Sequence, residues 1–173
     1  MSVALHVPGL KDMAVRQAWL ADPLTMAYNR GRDLGGAEGY DSETGCIDFP
    51  MQNWRWWRQL WLYNEPDFFT AYIRDDERFV GEVCWFREGD AFNVGILIAA
   101  EHRGKGYCAP ALKLLVDRAF KRKEIHALSC AFPTENVSAR RGFLRAGFHI
   151  QRENASMTEM KYVAIPSHNF CER

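Results

Sequence analysis

The sequence predicts an α+β domain with a mixed, mostly antiparallel sheet flanked by helices. Three observations carry this. Strand-like runs joined by short charged or glycine turns follow one another between residues 68 and 100. A strand–helix–strand–helix–strand succession comes after them, the pattern of a crossover between neighbouring strands. The 173 residues, 47% apolar and 25% charged, supply one core and are too few for two ordinary domains, so the reading is a single domain over 1–173.

Each element has a local cause. Ser2–Val7 alternates as a short strand and stops at Pro8-Gly9. Leu10–Leu20 has helical apolar spacing and ends at Asp22-Pro23, with a second short helical piece over Leu24–Tyr28. Five of the 13 glycines fall between Gly31 and Gly45, so residues from about 30 to 50 are read as a glycine-rich loop, either a lid or an open excursion. Gln52–Tyr63 returns to helix, with Trp54, Trp57 and Trp61 on one face, either core or a wall for a cationic ligand. Phe68–Arg74 and Phe79–Arg87 form a hairpin around Asp75-Asp76-Glu77-Arg78, and Phe92–Ala100 is the strongest strand. Tyr107–Lys121 is an amphipathic helix, His126–Phe132 a strand, and Val137–Ala146 a helix ended by Gly147. Phe148–Glu153 and Met157–Ala164 close the chain as a hairpin.

Composition narrows the function classes. The 22 basic and 22 acidic residues cancel, which argues against a general nucleic-acid binder or an anionic-membrane binder. The cancellation hides a split: residues 1–100 carry 9 Lys+Arg and 15 Asp+Glu, whereas residues 101–145 carry 10 and 4. Two ligands of opposite charge would account for it, as would ordinary fluctuation along the chain. Five cysteines without a CxxC pair, and no secretory-type N-terminus, point to a cytoplasmic protein. The longest apolar run, near Val94–Ala100, falls far short of the roughly 20 residues that span a bilayer. No His/Cys cluster has metal-ligand spacing, so no metal is expected.

The chemistry is concentrated in Ile96-Leu97-Ile98-Ala99-Ala100-Glu101-His102-Arg103-Gly104-Lys105-Gly106-Tyr107-Cys108. A buried strand enters a basic, glycine-bearing turn that opens a helix, and helix N-termini offer unpaired amides to phosphates. Pro110 is harmless in the first helical turn, where its missing N–H has no partner to lose. Gly104, Gly106 and Ala109 also match a loose dinucleotide fingerprint, but four residues separate strand from glycine and Glu124 precedes the next strand, so that reading is set aside. A Walker loop is excluded because no G-x-x-x-x-G-K-[ST] occurs. A purely structural strand–turn–helix connection stays open.

Arg103-Gly104-Lys105-Gly106-Tyr107-Cys108 resembles the Q/R-x-x-G-x-G/A acetyl-CoA motif of the GNAT N-acetyltransferase superfamily. Glu135-Asn136-Val137-Ser138-Ala139, leading to Phe143-Leu144-Arg145-Ala146-Gly147-Phe148, resembles its second signature, and the N-terminal part is similar to the branch of ribosomal-protein and small-amine acetyltransferases. The resemblance implies that backbone groups at Ile96, Leu97 and Ile98 hold the pantetheine arm of acetyl-CoA as an added strand. It implies further that amides from Arg103 to Cys108 cradle the pyrophosphate and that Asn136 bonds the arm. A primary amine then attacks the thioester directly, with a strand amide polarising the carbonyl. The resemblance also admits a homodimer. Cys108 stands where Gly or Ala is usual, and Phe143 lines the cofactor site where many members carry a Tyr that protonates the leaving thiolate.

An amine must lose its proton before attack. Glu82, a carboxylate amid Val80, Val83 and Trp85, is the candidate base unless it simply faces solvent, and Asn93 on the next strand would position a water. Tyr63 and Tyr72 could reach the acceptor side, whereas His102 reads as an exposed residue beside the turn. Two other classes stay in play: a non-catalytic acyl-CoA-binding or regulatory module, which Phe143 in place of the usual Tyr keeps open, and a small RNA-binding domain using the basic segment.

Overall fold

The structure, a computed structural model, describes residues 2–34 and 39–164. Seven strands, β1 (Val3–His6), β2 (Phe68–Asp75), β3 (Arg78–Glu88), β4 (Ala91–Ile98), β5 (Ala127–Pro133), β6 (His149–Glu153) and β7 (Met157–Val163), form one sheet in the order β1-β2-β3-β4-β5-β7-β6. Helices α1 (Met13–Ala21), α2 (Trp54–Tyr63), α3 (Cys108–Ala119) and α4 (Val137–Ala146) flank it. All pairings are antiparallel except β4 with β5. The α+β architecture and mixed sheet expected from the sequence are those observed.

Alternation in the strands sorts side chains between two apolar layers. On one face Val83 and Trp85 of β3 and Leu128 of β5 meet Ala111, Leu112 and Leu115 of α3 and Phe143 of α4. Trp85 is fully buried, and its indole N–H donates to the Pro66 carbonyl at 2.7 Å, so the polar end is satisfied. On the other face Met13, Trp19 and Leu20 of α1, Trp61 of α2 and Phe49 cover Tyr72 and Leu97. The tryptophan face of α2 therefore packs: Phe49 stacks on Trp61 at 6.2 Å, and the Trp54 indole N–H donates to the Phe49 carbonyl at 3.1 Å.

The helix ends follow from local chemistry. Asn136 caps α4, its side-chain oxygen accepting from the Ala139 amide at 3.0 Å. At the other end Gly147 has φ +101°, Gly147 N donates to Leu144 O and Phe148 N to Phe143 O, a Schellman closure.

Two segments depart from expectation. Over Leu24–Tyr28 no α-helix forms, and only a 3₁₀ turn at Ala27–Asn29 appears. The Asp22 carboxylate accepts from the Leu24 and Thr25 amides and from the Thr25 hydroxyl, which bends the chain locally instead. The described parts of the glycine-rich segment fold back onto the α1 layer. Ile47 N donates to Leu20 O at 3.0 Å, and Gly45, at φ +80°, sits so close to Met26 that a Cβ would stand 2.4 Å from its carbonyl oxygen. Gly35, Gly36 and Glu38 lie outside the described residues.

Candidate active site

The site begins where the sheet stops pairing. β4 and β5 run parallel, but Asn93 and Ser129 are their one registered pair among the described residues. From Gly95 to Ile98, β4 is laddered to β3 alone. Unpaired strand backbone is a template for another extended chain, so Ile96, Leu97 and Ile98 stand where an arm added as a strand would bind.

Past Ile98 a 3₁₀ turn at Ala100–His102 leads to the glycine-bearing turn. Gly104 and Gly106 have φ +74° and +89°, values that favour glycine. The amides of Gly104, Lys105, Gly106, Tyr107 and Cys108 donate to no described protein group, and they head straight into α3. Free amides at the positive end of a 12-residue helix suit an anion such as a pyrophosphate. The Arg103 amide is spent on the Ala100 carbonyl at 3.2 Å. Side chains anchor both flanks of the turn: the Arg103 guanidinium donates to backbone carbonyls, and the Tyr107 hydroxyl donates to Asp75 at 2.7 Å. The Tyr107 hydroxyl, followed by the Ser2 amide, holds the Asp75 carboxyl below its ordinary range.

Three residues expected at the cofactor do structural work. Asn136 uses its side-chain oxygen as the α4 cap, leaving its amide N–H₂ without a described partner. The Cys108 thiol lies against Gly142 of α4, where a Cβ would meet it at 2.3 Å, and burial pushes its pKa to about 11, so it is a packing group and a poor nucleophile. Phe143 is 3% exposed, stacked on Phe132 at 5.6 Å and edge-on to Phe148 at 5.0 Å.

Glu82 does not face open solvent. Arg16 of α1 donates from Nε to its Oε2 at 2.8 Å, with both side chains at most 21% exposed. The Arg16 guanidinium also lies over the rings of Phe49 and Trp61, at 4.7 and 5.3 Å. Burial opposes the Arg16 charge and Glu82 more than compensates, so the Arg16 pKa is raised. The signal for this partner is visible in the chain: Met13, Arg16 and Leu20 share one helical stripe, and an arginine on an apolar face needs an anion. Asn93 lies on the same sheet face but pairs across from Phe86, four residues along β4 from the Leu97 opposite Glu82. At about 3.3 Å per residue that is roughly 13 Å, so the two do not form one proton path. The Asn93 amide donates instead to Glu88 at 3.0 Å.

The remaining candidates separate clearly. Tyr72 is enclosed, its hydroxyl against the Met13 sulfur at 3.9 Å, and Tyr63 is 80% exposed on the outer side of α2. The His102 side chain is only 13% exposed, set between Glu101 and Tyr107. Several front-half acids are committed locally: Asp12 to Gly9 and His6, Asp22 to Thr25, Asp41 to Thr44. The acidic balance of residues 1–100 is thus partly turn chemistry. Among the described residues no group of three His, Cys, Asp or Glu is set to hold a metal ion, and no helix is long and apolar enough to cross a membrane.

The fold recurs in proteins of known structure. A microcin C7 self-immunity acetyltransferase, MccE, solved with acetyl-CoA and AMP, superposes with TM-score 0.70 at 12% identity, over 94% of this chain and 92% of that one. Spermidine N-acetyltransferase from Vibrio cholerae, solved with CoA and spermine, gives 0.71 at 14% identity, over 93% and 95%. The aminoglycoside acetyltransferase AAC(6')-Ib, solved with coenzyme A and kanamycin, gives 0.66 at 16%, over 94% and 95%. In sequence the chain is 30% identical over 102 residues to the probable N-acetyltransferase YjcK of Bacillus subtilis (strain 168), matching 54% of this chain and 56% of that one. The chain thus spans little more than half of that relative. The family model for the acetyltransferase (GNAT) domain matches residues 4–149. With the unpaired strand end and the free-amide turn both inside that span, the chain belongs to the GNAT acetyltransferase domain family.

Proposed function

We propose that the chain transfers the acetyl group of acetyl-CoA to a primary amine, on a small molecule or a protein N-terminus, by direct attack within a ternary complex. One observation carries the reading: unpaired β4 backbone runs within a few residues into a turn whose amides are free at the head of α3. Together they suit an extended arm ending in a pyrophosphate. Lys105, whose ammonium has no described partner, adds charge there. Asn136 retains two donors for the arm. The structural relatives solved with spermine and with kanamycin support an amine as acceptor.

The attacking nitrogen must be neutral, and Glu82 is the carboxylate best placed to take its proton through a water: Oε2 is held by Arg16, whereas Oε1 has no described partner. The new C–N bond forms as the C–S bond breaks, and the CoA thiol, with a pKa near 8.5 for an ordinary thiol, departs as thiolate without a side-chain acid.

The packed position of Phe143 favours a second reading, a non-catalytic acyl-CoA-binding module. One experiment separates them. Acetyl-CoA raises the melting temperature of the wild type and not of Gly106→Trp, which fills the turn. Thiol release is then followed across polyamines, aminosugars, amino acids and peptide N-termini. Release with an amine supports the enzyme; binding without release supports the module; no thermal shift overturns both.

A further inference from the structure

The guanidinium of Arg103 turns away from the phosphate-type turn that it precedes. Nε donates to Ile98 O at 3.1 Å, Nη1 to Leu24 O at 3.0 Å and Nη2 to Thr25 O at 2.6 Å. Thr25 answers across the same gap: its hydroxyl accepts the Ala100 amide at 2.9 Å and donates to Asp22 at 2.6 Å. Thr25 is 1% exposed, so its hydroxyl has no water to fall back on, whereas the Arg103 bonds to Ile98 O and Leu24 O lie at the surface. Three hydrogen bonds therefore cross between 22–26 and 98–103, two from Arg103 and one from Ala100.

The clamped segment leads to the α1 side of the sheet. Met26 and Asn29 are buried beyond it, and the Gly45 turn packs on Met26. Tyr28 is 46% exposed, and burial and then the Glu82 charge raise its pKa. Through Met26 the segment joins the cluster of Phe49 and Trp61, the rings over which Arg16 lies.

We propose that Arg103 is a positioning residue, a strut that fixes 22–30 to the end of β4 and makes the cosubstrate turn and the acceptor-side wall one rigid unit. The names of the two sides rest on the acetyl-transfer reading; the strut itself does not. Arginine is required because its planar fork meets three carbonyls in different directions, whereas a lysine ammonium on a flexible stem cannot hold all three. The competing role is phosphate binding through charge, for which two guanidinium N–H groups remain without a described partner.

The test uses the whole chain, the variants Arg103→Lys and Arg103→Gln, amide hydrogen exchange, and acetyl-CoA binding by calorimetry. Exchange at Met26 and Ala100 rises about tenfold or more in both variants, because local opening no longer breaks the strut. Acetyl-CoA affinity changes by less than about threefold in both. In the wild type, acetyl-CoA slows exchange at Met26, a residue outside the turn; in both variants it binds but no longer does so, a loss of coupling that lysine does not rescue. Unchanged exchange in both ligand-free variants overturns the proposal, and so does a loss of acetyl-CoA affinity of about tenfold or more in Arg103→Gln. If the wild type binds no acetyl-CoA, the functional reading fails, and the ligand-free exchange still decides whether Arg103 holds the segment.

Discussion

The Cys108 thiol occupies the space that a side chain at Gly142 would need: a Cβ there would lie 2.3 Å from Sγ and 3.2 Å from the Cys108 Cβ. Helices α3 and α4, which carry the two signatures, meet through this thiol-over-glycine contact. Gly142→Ala is expected to lose about 1–3 kcal/mol by overpacking, despite alanine's better helix propensity. Cys108→Ala in the same chain restores most of it. Urea unfolding of the four-member cycle measures the coupling, and additive costs would contradict it.

Gly81 sets how closely β3 and β4 approach. A Cβ at this position would stand 2.1 Å from the Leu97 carbonyl oxygen, a backbone atom that cannot swing aside. Gly81→Ala is expected to cost about 1–3 kcal/mol and to displace the strand proposed for the pantetheine arm. Both the thermal midpoint and the acetyl-CoA affinity fall; a variant with wild-type values for each would show that β4 adapts freely.

Breaking the Arg16–Glu82 pair leaves one shielded charge alone. Arg16→Met is expected to destabilise by about 3 kcal/mol, whereas replacing both partners, as Arg16→Met with Glu82→Leu, costs less than the single change. Calorimetric unfolding gives the order. For the proposed base role, Glu82→Gln should remove the acid limb of the kcat/KM profile, and an unaltered profile would assign proton transfer elsewhere.

The Tyr107–Asp75 contact predicts a pH response at each extreme. The Asp75 pKa is lowered in the fold, so its contribution is present above the ordinary carboxylate pKa and is lost as pH falls through the lowered value. The Tyr107 pKa is raised, first by the same hydrogen bond, so its contribution is present below pH about 10 and is lost as pH rises through the higher value. Tyr107→Phe should flatten both limbs of the melting-temperature profile while leaving the mid-range slope unchanged.

Phe143→Tyr tests whether the usual acid can be restored. The ring is stacked in the core, so an added hydroxyl is expected to cost about 1–2 kcal/mol and to leave thiol release within about threefold of wild type. A gain of about tenfold, with a new basic limb, would put the hydroxyl at the leaving group.

Much of the architecture was readable because its causes are local. Alternation marked β2, β3 and β4, and the Asn136 and Gly147 caps bounded α4 where expected. The Leu24–Tyr28 segment misled for an equally local reason: its residues suggested a short helix, but Asp22 and Thr25 close a side-chain turn that periodicity does not register. At the site, the Gly104–Gly106 turn was legible as a basic, glycine-bearing entry to a helix, while the direction of its neighbouring arginine was not.

From the sequence alone came the order of elements, the strand–turn–helix at residues 94–109 and the second signature at 135–148, since spacing and turn chemistry act over a few residues. Tertiary structure decided what each polar side chain does. Glu82 finds Arg16 across 66 positions, Arg103 finds Thr25 across 78, and Tyr107 finds Asp75 across 32. A carboxylate or guanidinium leaving water must take whichever partner the fold brings to it, and no local pattern names a partner that packing supplies.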